Sequence, residues 1–354
     1  MPVITSSIRF LEATVCRGKL RLTLMLSALV FSQSPLAQTD ALVALQALAR
    51  AHAAVVGIQT SVAEDARSAE SLGRNRSGSG VVIGPDGLIL TIGHLTLEAE
   101  QLQITTRDGT HTPGRLVAYD LATGFSLVQP VLPLPELLPV PLGDPRALHA
   151  GDPLIAAYLD SDNNDAIGMS AARLVKRRAF SATWEYHLED ALFTSPTVPL
   201  HSGAALFNQG GELLGIGSLR LQNIGTESTP LAGNLFVPVD ALKPILDEMR
   251  QSGSSKLSHR PWLGLTSSVQ NGRVQLVGVG KDTPAQSAGL SSGDVILAVD
   301  GAKVATLESF YKTLWAHSEP SRPVSLTVLQ GADINTVLVD VVERLSTLRR
   351  PNGI

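Results

Sequence analysis

The chain is predicted to be mainly β, with a smaller α+β unit at its C-terminal end. Three observations carry this. Its 354 residues include 31 glycines and 21 prolines, so the backbone turns often. Between Gly80 and Val239, short runs rich in Val, Ile and Leu alternate with turn signals such as Gly84-Pro85-Asp86-Gly87 and Asp108-Gly109. After Pro261 the strand-like runs continue around one clear helix, Thr306 to Ala316. This length allows two or three domains.

Residues 1–37 differ in character from the rest. Arg17, Lys19 and Arg21 precede an apolar run, Leu22 to Phe31, and then Ser32-Gln33-Ser34-Pro35-Leu36-Ala37. That order describes an export signal, and the run is short for a membrane span. Pro35 is a poor residue ahead of cleavage after Ala37, so an uncleaved leader that tethers the chain to a membrane is the alternative. Losing the leader removes four positive charges and one negative, which takes the net charge from −4 to −7. An acidic chain without a basic patch argues against nucleic-acid binding. The one cysteine, Cys16, lies in the leader, so the remainder tolerates an oxidising compartment without exploiting it.

Taken in order, residues 40–56 are rich in Ala and Leu and predict a short helix running into a strand. Arg67 to Ser79 has loop chemistry. Val81-Val82-Ile83 and Leu88-Ile89-Leu90 flank the Pro-Asp-Gly turn and predict a hairpin, continued by Leu102 to Thr106 and Leu116 to Tyr119. Gly78-Ser79-Gly80 is followed by β-branched residues rather than a helix opening, which argues against a phosphate-cradling loop. Pro130 to Pro141 predicts an extended connector, and a second β unit runs from about Leu154 to Val239. Asp160 to Asp165 resembles a calcium loop. It lacks glycine at the sixth position and glutamate at the twelfth, where Asp165 and Ala171 stand, and reads as a solvated acidic loop. No cofactor or metal is expected. Val239 to Met249 has helical spacing, and Gln251 to His259 is a Ser/Gly linker.

Within the second β unit, Leu200-His201-Ser202-Gly203-Ala204-Ala205 places a hydroxyl in a small-residue turn. Small neighbours let a backbone bend tightly and let a substrate carbonyl approach its N–H groups, as acyl transfer requires. Many inert serines share that setting.

Several patterns, in the same order, resemble the HtrA/Deg family of trypsin-fold serine proteases with a C-terminal PDZ domain. Gly78 to Ile83, then Asp86 to Thr91, lead to His94, like the family segment that ends in its catalytic histidine. Here it reads Thr91-Ile92-Gly93-His94-Leu95 where the family has Thr-Asn-Asn-His-Val. Leu142-Gly143-Asp144 and Gly151-Asp152 follow the family as well, and Ser202 falls at the serine of its Gly-Asn-Ser-Gly-Gly motif. The resemblance implies a trypsin-like double β-barrel over residues 40–250, a linker at 251–259, a PDZ domain at 260–345 and a tail at 346–354. It also implies an exported, periplasmic protein and, as family members commonly form them, a homotrimer.

In such enzymes the imidazole takes the serine proton, and a buried carboxylate holds the imidazole in the right tautomer. Ser202 and His94 match nucleophile and base. The aspartate does not survive: the family has Asp-x-x-Thr-Asp, and this chain has Asp120-Leu121-Ala122-Thr123-Gly124. A neutral replacement of that aspartate lowers turnover about 10⁴-fold. Asp120, four residues earlier, would be displaced by roughly 13 Å along a strand. The family's oxyanion hole uses the N–H groups of the positions here held by Leu200 and Ser202. If the Leu200 position needs positive φ, leucine costs on the order of 1–2 kcal/mol. His201 reads as a surface substitution, because adjacent side chains diverge.

The C-terminal unit keeps more of its pattern. Trp262-Leu263-Gly264-Leu265 resembles the PDZ loop whose N–H groups receive a peptide's C-terminal carboxylate. The helix at 306–316, with Phe310 and Leu314 on one face, would wall the other side of the groove. The resulting expectation is an exported protein that binds polypeptide C-termini or exposed apolar segments, with hydrolysis absent or impaired. A working endopeptidase of envelope protein quality control, using Ser202 and His94, is the alternative.

Overall fold

The computed structural model describes residues 45–134, 137–160, 166–316 and 319–349. The leader, most of the acidic loop after Asp160 and the last residues of the tail lie outside them.

Two barrels come first. Strands β1 (Val55–Val62), β2 (Asn75–Val82), β3 (Ile89–Ile92), β4 (Ala99–Thr105), β5 (His111–Tyr119) and β6 (Phe125–Pro130) close in the order β1-β2-β3-β6-β5-β4. The next six are β7 (Pro153–Asp160), β8 (Ala166–Ser181), β9 (His187–Ser195), β10 (Ala205–Phe207), β11 (Leu213–Leu221) and β12 (Gly233–Pro238). They close as β10-β11-β12-β9-β8-β7, which is the first barrel's order repeated. The Pro-Asp-Gly turn joins β2 to β3, with Val81 opposite Leu90 and Val82 opposite Ile89. Closure removes the sheet edges and turns alternate residues inward. One apolar cluster runs through both barrels, including the fully buried Ile58, Leu90, Phe125, Phe193 and Phe207, and a second lies within the second barrel around Leu192, Leu206 and Phe236.

The helical spacing at 239–249 is only partly realised. Val239–Ala241 forms a 3₁₀ turn and α1 spans Leu246–Ser252. Pro244 lies between them, and a proline removes a donor that a continuous helix would need.

The C-terminal unit has β13 (Pro261–Trp262), β14 (Leu265–Gln270), β15 (Arg273–Val279), β16 (Val295–Val299), β17 (Ala302–Lys303), β18 (Val324–Gln330), β19 (Asp333–Val339) and β20 (Val342–Glu343). Its main sheet runs β14-β15-β16-β18-β19. Helix α2 (Leu307–Leu314) starts at a capping box, in which Thr306 Oγ1 accepts from the Ser309 N–H and Ser309 Oγ from the Thr306 N–H. The unit has its own apolar core. The architecture is mainly β, two barrels followed by an α+β unit, as the sequence predicts.

Candidate active site

Ser202 sits on the loop before β10, wedged between the barrels. Its carbonyl accepts from the Ser79 N–H of β2 at 2.9 Å, and the Gly203 N–H donates to Gly217 O of β11 at 2.9 Å. Space is the constraint on sequence here. A Cβ on Gly203 (φ +73°) would stand 1.9 Å from Ser79 O, and one on Gly217 would stand 2.0 Å from His201 O. Gly203 is therefore demanded by the close approach of the two barrels, and Gly217 by the serine loop lying against β11.

His94 lies on one short helical turn, Gly93–Thr96, directly after β3. Arg76 Nη1 donates to its carbonyl at 3.1 Å, and Thr60 Oγ1 donates to Leu95 O at 2.6 Å. His94 Nε2 and Ser202 Oγ are 3.0 Å apart, the distance a serine needs to donate to a neutral imidazole. Burial, aided by the nearby positive charge of His201 and Arg76, lowers the His94 pKa to about 4. The imidazole is thus neutral at physiological pH, as a base must be.

The other ring nitrogen has no such support. Among the described residues no carboxylate is bonded to His94 Nδ1. Gly124 has φ +78°, and its carbonyl accepts from the Gly93 N–H at 2.7 Å. A Cβ on Gly124 would stand 3.1 Å from the Tyr186 hydroxyl, which donates to Thr123 O at 2.6 Å. Tyrosine thus occupies the space beside the missing carboxylate. Gly93 has a similar cause: a Cβ there would stand 2.1 Å from the Tyr119 ring.

Asp120 does not substitute. It lies in a turn rather than along a strand, and its side chain is fully engaged elsewhere. It accepts from the Thr123 N–H and Oγ1 at 2.8 and 2.7 Å, from Ser255 Oγ and Ser258 Oγ at 2.5 Å, and from the Ser255 N–H at 3.3 Å. Burial alone would raise its pKa, but these donors outweigh burial and hold it below the usual carboxylate range. Asp120 ties the 120–124 turn to the linker.

Two expectations concern the serine loop. Among the described residues the non-glycine positions with positive φ are Glu98, Asn271, Asp282 and Asp300, so Leu200 carries no such strain. Its side chain instead packs half-buried against an apolar cluster of the second barrel. Among the described residues, neither the Leu200 N–H nor the Ser202 N–H donates to another protein group. His201 is partly exposed, and the one bond of its ring among the described residues is a long one to Pro199 O rather than to Ser202. It is half-buried in the same cleft as Ser202, with burial lowering its pKa.

That cleft, about 880 Å³, is lined by His94, Ser202, His201 and Tyr186 and extends to Trp262 and Thr266 of the C-terminal unit. The Trp262–Leu265 loop is formed, and Gly264 (φ +82°) has no room for a side chain, its Cβ position lying 2.4 Å from Thr283 Cβ. Its N–H groups already have an acceptor. Glu185, from the β8–β9 hairpin, takes bonds from the Leu263 and Gly264 N–H groups at 2.8 Å and from the Leu265 N–H at 3.1 Å. Burial pushes the Glu185 carboxyl above its ordinary range, with the three N–H donors and the charge of Arg344 opposing.

Phe310 and Leu314, expected on the groove wall, are fully buried in the unit's own core. Tyr311 is buried in the same core, and its hydroxyl donates to Ala182 O at 2.9 Å. Glu185, Tyr186 and Tyr311 carry no local sequence signal. Their roles depend on partners 60 or more residues away. For metal, the described residues offer His187, Glu189 and Glu308. Lys312 Nζ lies 2.8 Å from both of those carboxylates and already supplies the cation.

Residues 78–216 match the trypsin-like peptidase domain family, and residues 261–341 match the PDZ domain family. Serine endoprotease DegS of Haemophilus influenzae is 25% identical over 275 residues, covering 76% of this chain and 78% of that protein. The chain is an HtrA-type serine endoprotease homologue. A probable periplasmic DegP-like serine endoprotease of Halomonas elongata is 28% identical over 283 residues, covering 76% of this chain and 56% of that protein. The chain thus spans little more than half the length of the DegP-like relatives it matches. Among solved structures, the HtrA-type protease AlgW with decapeptide superposes with a TM-score of 0.54 at 22% identity, covering 87% of this chain and 99% of that one. That likeness is one of fold.

Proposed function

We propose that this HtrA/Deg homologue is an exported polypeptide-binding protein with strongly impaired peptide hydrolysis. The observation that carries the reading is His94 Nδ1 without a carboxylate, Gly124 standing in its place and Tyr186 beside it. A serine–histidine pair without an orienting acid keeps a base but loses the group that fixes its tautomer and stabilises the imidazolium, at a cost of about 10⁴ in turnover. Binding would be through the PDZ unit to C-termini or exposed apolar segments, in keeping with relatives whose structures were solved with bound peptides. The names of the DegP-like relatives favour a periplasmic setting, with residues 1–37 as signal or tether. No described helix is long and apolar enough to cross a membrane. A homotrimer is the assembly proposed by resemblance alone.

The second reading, a dyad endopeptidase, is favoured by the 3.0 Å contact between Ser202 and His94 and by the two unpartnered N–H groups of the serine loop. A serine-reactive fluorophosphonate probe and digestion of an unfolded protein separate the two. The proposal expects labelling at most slow and digestion near background. Brisk digestion that Ser202→Ala abolishes would establish the endopeptidase instead.

A further inference from the structure

The tip of the β8–β9 hairpin, residues 182–186, lies along the PDZ groove in the manner of a bound peptide. Its chain direction is antiparallel to β14. Trp184 pairs with Thr266 in an antiparallel bridge, and the Ser267 N–H donates to Thr183 O at 2.7 Å. Ala182, one residue further back, meets Tyr311 of α2. Ahead of Trp184, Glu185 delivers its carboxylate to the Leu263, Gly264 and Leu265 N–H groups. Strand addition beside β14 and carboxylate capture at the preceding loop are the two components of PDZ recognition. Here one internal segment supplies both, with a side-chain carboxylate in place of a terminal one.

We infer that residues 182–185 are a built-in ligand of the PDZ groove, and that a polypeptide C-terminus binds only by displacing Glu185 from the Trp262–Leu265 loop. The inference rests on the reading of this groove as a site for polypeptide C-termini. Only one carboxylate fits three N–H groups that converge on two oxygens. Glu185 is 6% exposed, so solvent does not share the site with it. The internal segment is tethered and competes at high effective concentration, so the apparent affinity for an external peptide is reduced by the fraction of time the groove is open. Neither His187 nor Glu189, which follow on the same hairpin, reaches the loop: His187 Nδ1 bonds Ser181 Oγ, and Glu189 bonds Lys312.

The test uses the full chain and a fluorescein-labelled pool of decapeptides with varied apolar C-terminal residues, in free-carboxylate and amidated forms. Amide hydrogen exchange at Leu263, Gly264 and Leu265 is measured alongside. In the wild type these three amides exchange slowly, and Glu185→Ala releases them. The same substitution tightens binding of the free-carboxylate pool about tenfold or more, with the amidated pool unaffected. Glu185→Gln, which keeps the volume and one acceptor oxygen, gives an intermediate result should the alanine variant fold poorly. Free exchange of the three amides in the wild type overturns the inference. So does equal binding of the free-carboxylate pool to wild type and both variants, and that result leaves the peptide-binding reading standing. If no variant binds the free pool, or the amidated pool binds as well, both the displacement and the reading of the groove fail.

Discussion

Two buried carboxylates mark two regions of this protein, and neither stands where a triad needs one. Asp120 lies in the turn that leads to Gly124, and Glu185 lies at the tip of the β8–β9 hairpin. Asp120 takes five hydrogen bonds from Thr123, Ser255 and Ser258, and its pKa falls. Glu185 takes three backbone bonds in a more enclosed place, and its pKa rises. One carboxylate ties the first barrel to the linker, and the other ties the second barrel to the PDZ loop. Donors outweigh burial at Asp120, and burial outweighs donors at Glu185. An acid near a site in sequence says little about its task until its donors are counted.

The largest expected effect follows from that contrast. Asp120→Ala leaves several buried donors unsatisfied at roughly 1–3 kcal/mol each, and should cost about 3–4 kcal/mol of stability. Glu185→Ala also removes a poorly solvated charge and should cost about 1–2 kcal/mol. Urea denaturation of the full chains measures both. The two also part with pH. The Asp120 contribution, from a lowered pKa, is present above the unfolded value of 3.8 and is lost as pH falls through the lower folded value. Glu185 has a raised pKa, so its contribution is fullest below the unfolded value of 4.5 and declines as pH rises through the folded value. Equal costs with parallel pH slopes would erase the distinction.

A second expectation concerns the missing aspartate. Gly124→Asp alone should restore little digestion, because φ is +78° and the Tyr186 hydroxyl stands 3.1 Å from the new Cβ. Combined with Tyr186→Phe, which clears that contact, it should raise digestion of an unfolded protein about 10²-fold, a fraction of the full triad effect. If the single variant performs as well as the pair, Tyr186 is not the obstacle. The smallest effect is a shift in midpoint. Labelling of Ser202 by a fluorophosphonate should decline on acidification with a midpoint near 4, the pKa that burial gives His94, rather than near 6.5. A midpoint near 6.5 would mean that His94 is more hydrated than its packing indicates.

Much of the fold was legible along the chain because its signals are local. The Pro-Asp-Gly turn, the alternating apolar runs and the cap at Thr306 each act within a few residues. Ser202, His94 and the loss at Gly124 were legible for the same reason, since each sits inside a short motif. Phe310 and Leu314 were placed on the right helix, and both are buried in the core of the unit. Periodicity defines a common face without saying which neighbour that face meets. Strain at Leu200 was conditional on a positive φ, which the chain does not adopt there, and residue type alone does not set φ.

By itself the sequence determined two barrels, a PDZ-like unit, and a serine and a histidine at family motif positions with glycine at position 124. The tertiary structure alone decided where the remaining acids went. Asp120 and Glu185 meet donors 135 and 78 residues away, respectively, and Tyr186 reaches Thr123 across 63 residues. Hydrogen-bond partners so distant leave no pattern in any local window. The PDZ loop can be read from four consecutive residues, but its occupant becomes visible only when the hairpin folds onto it.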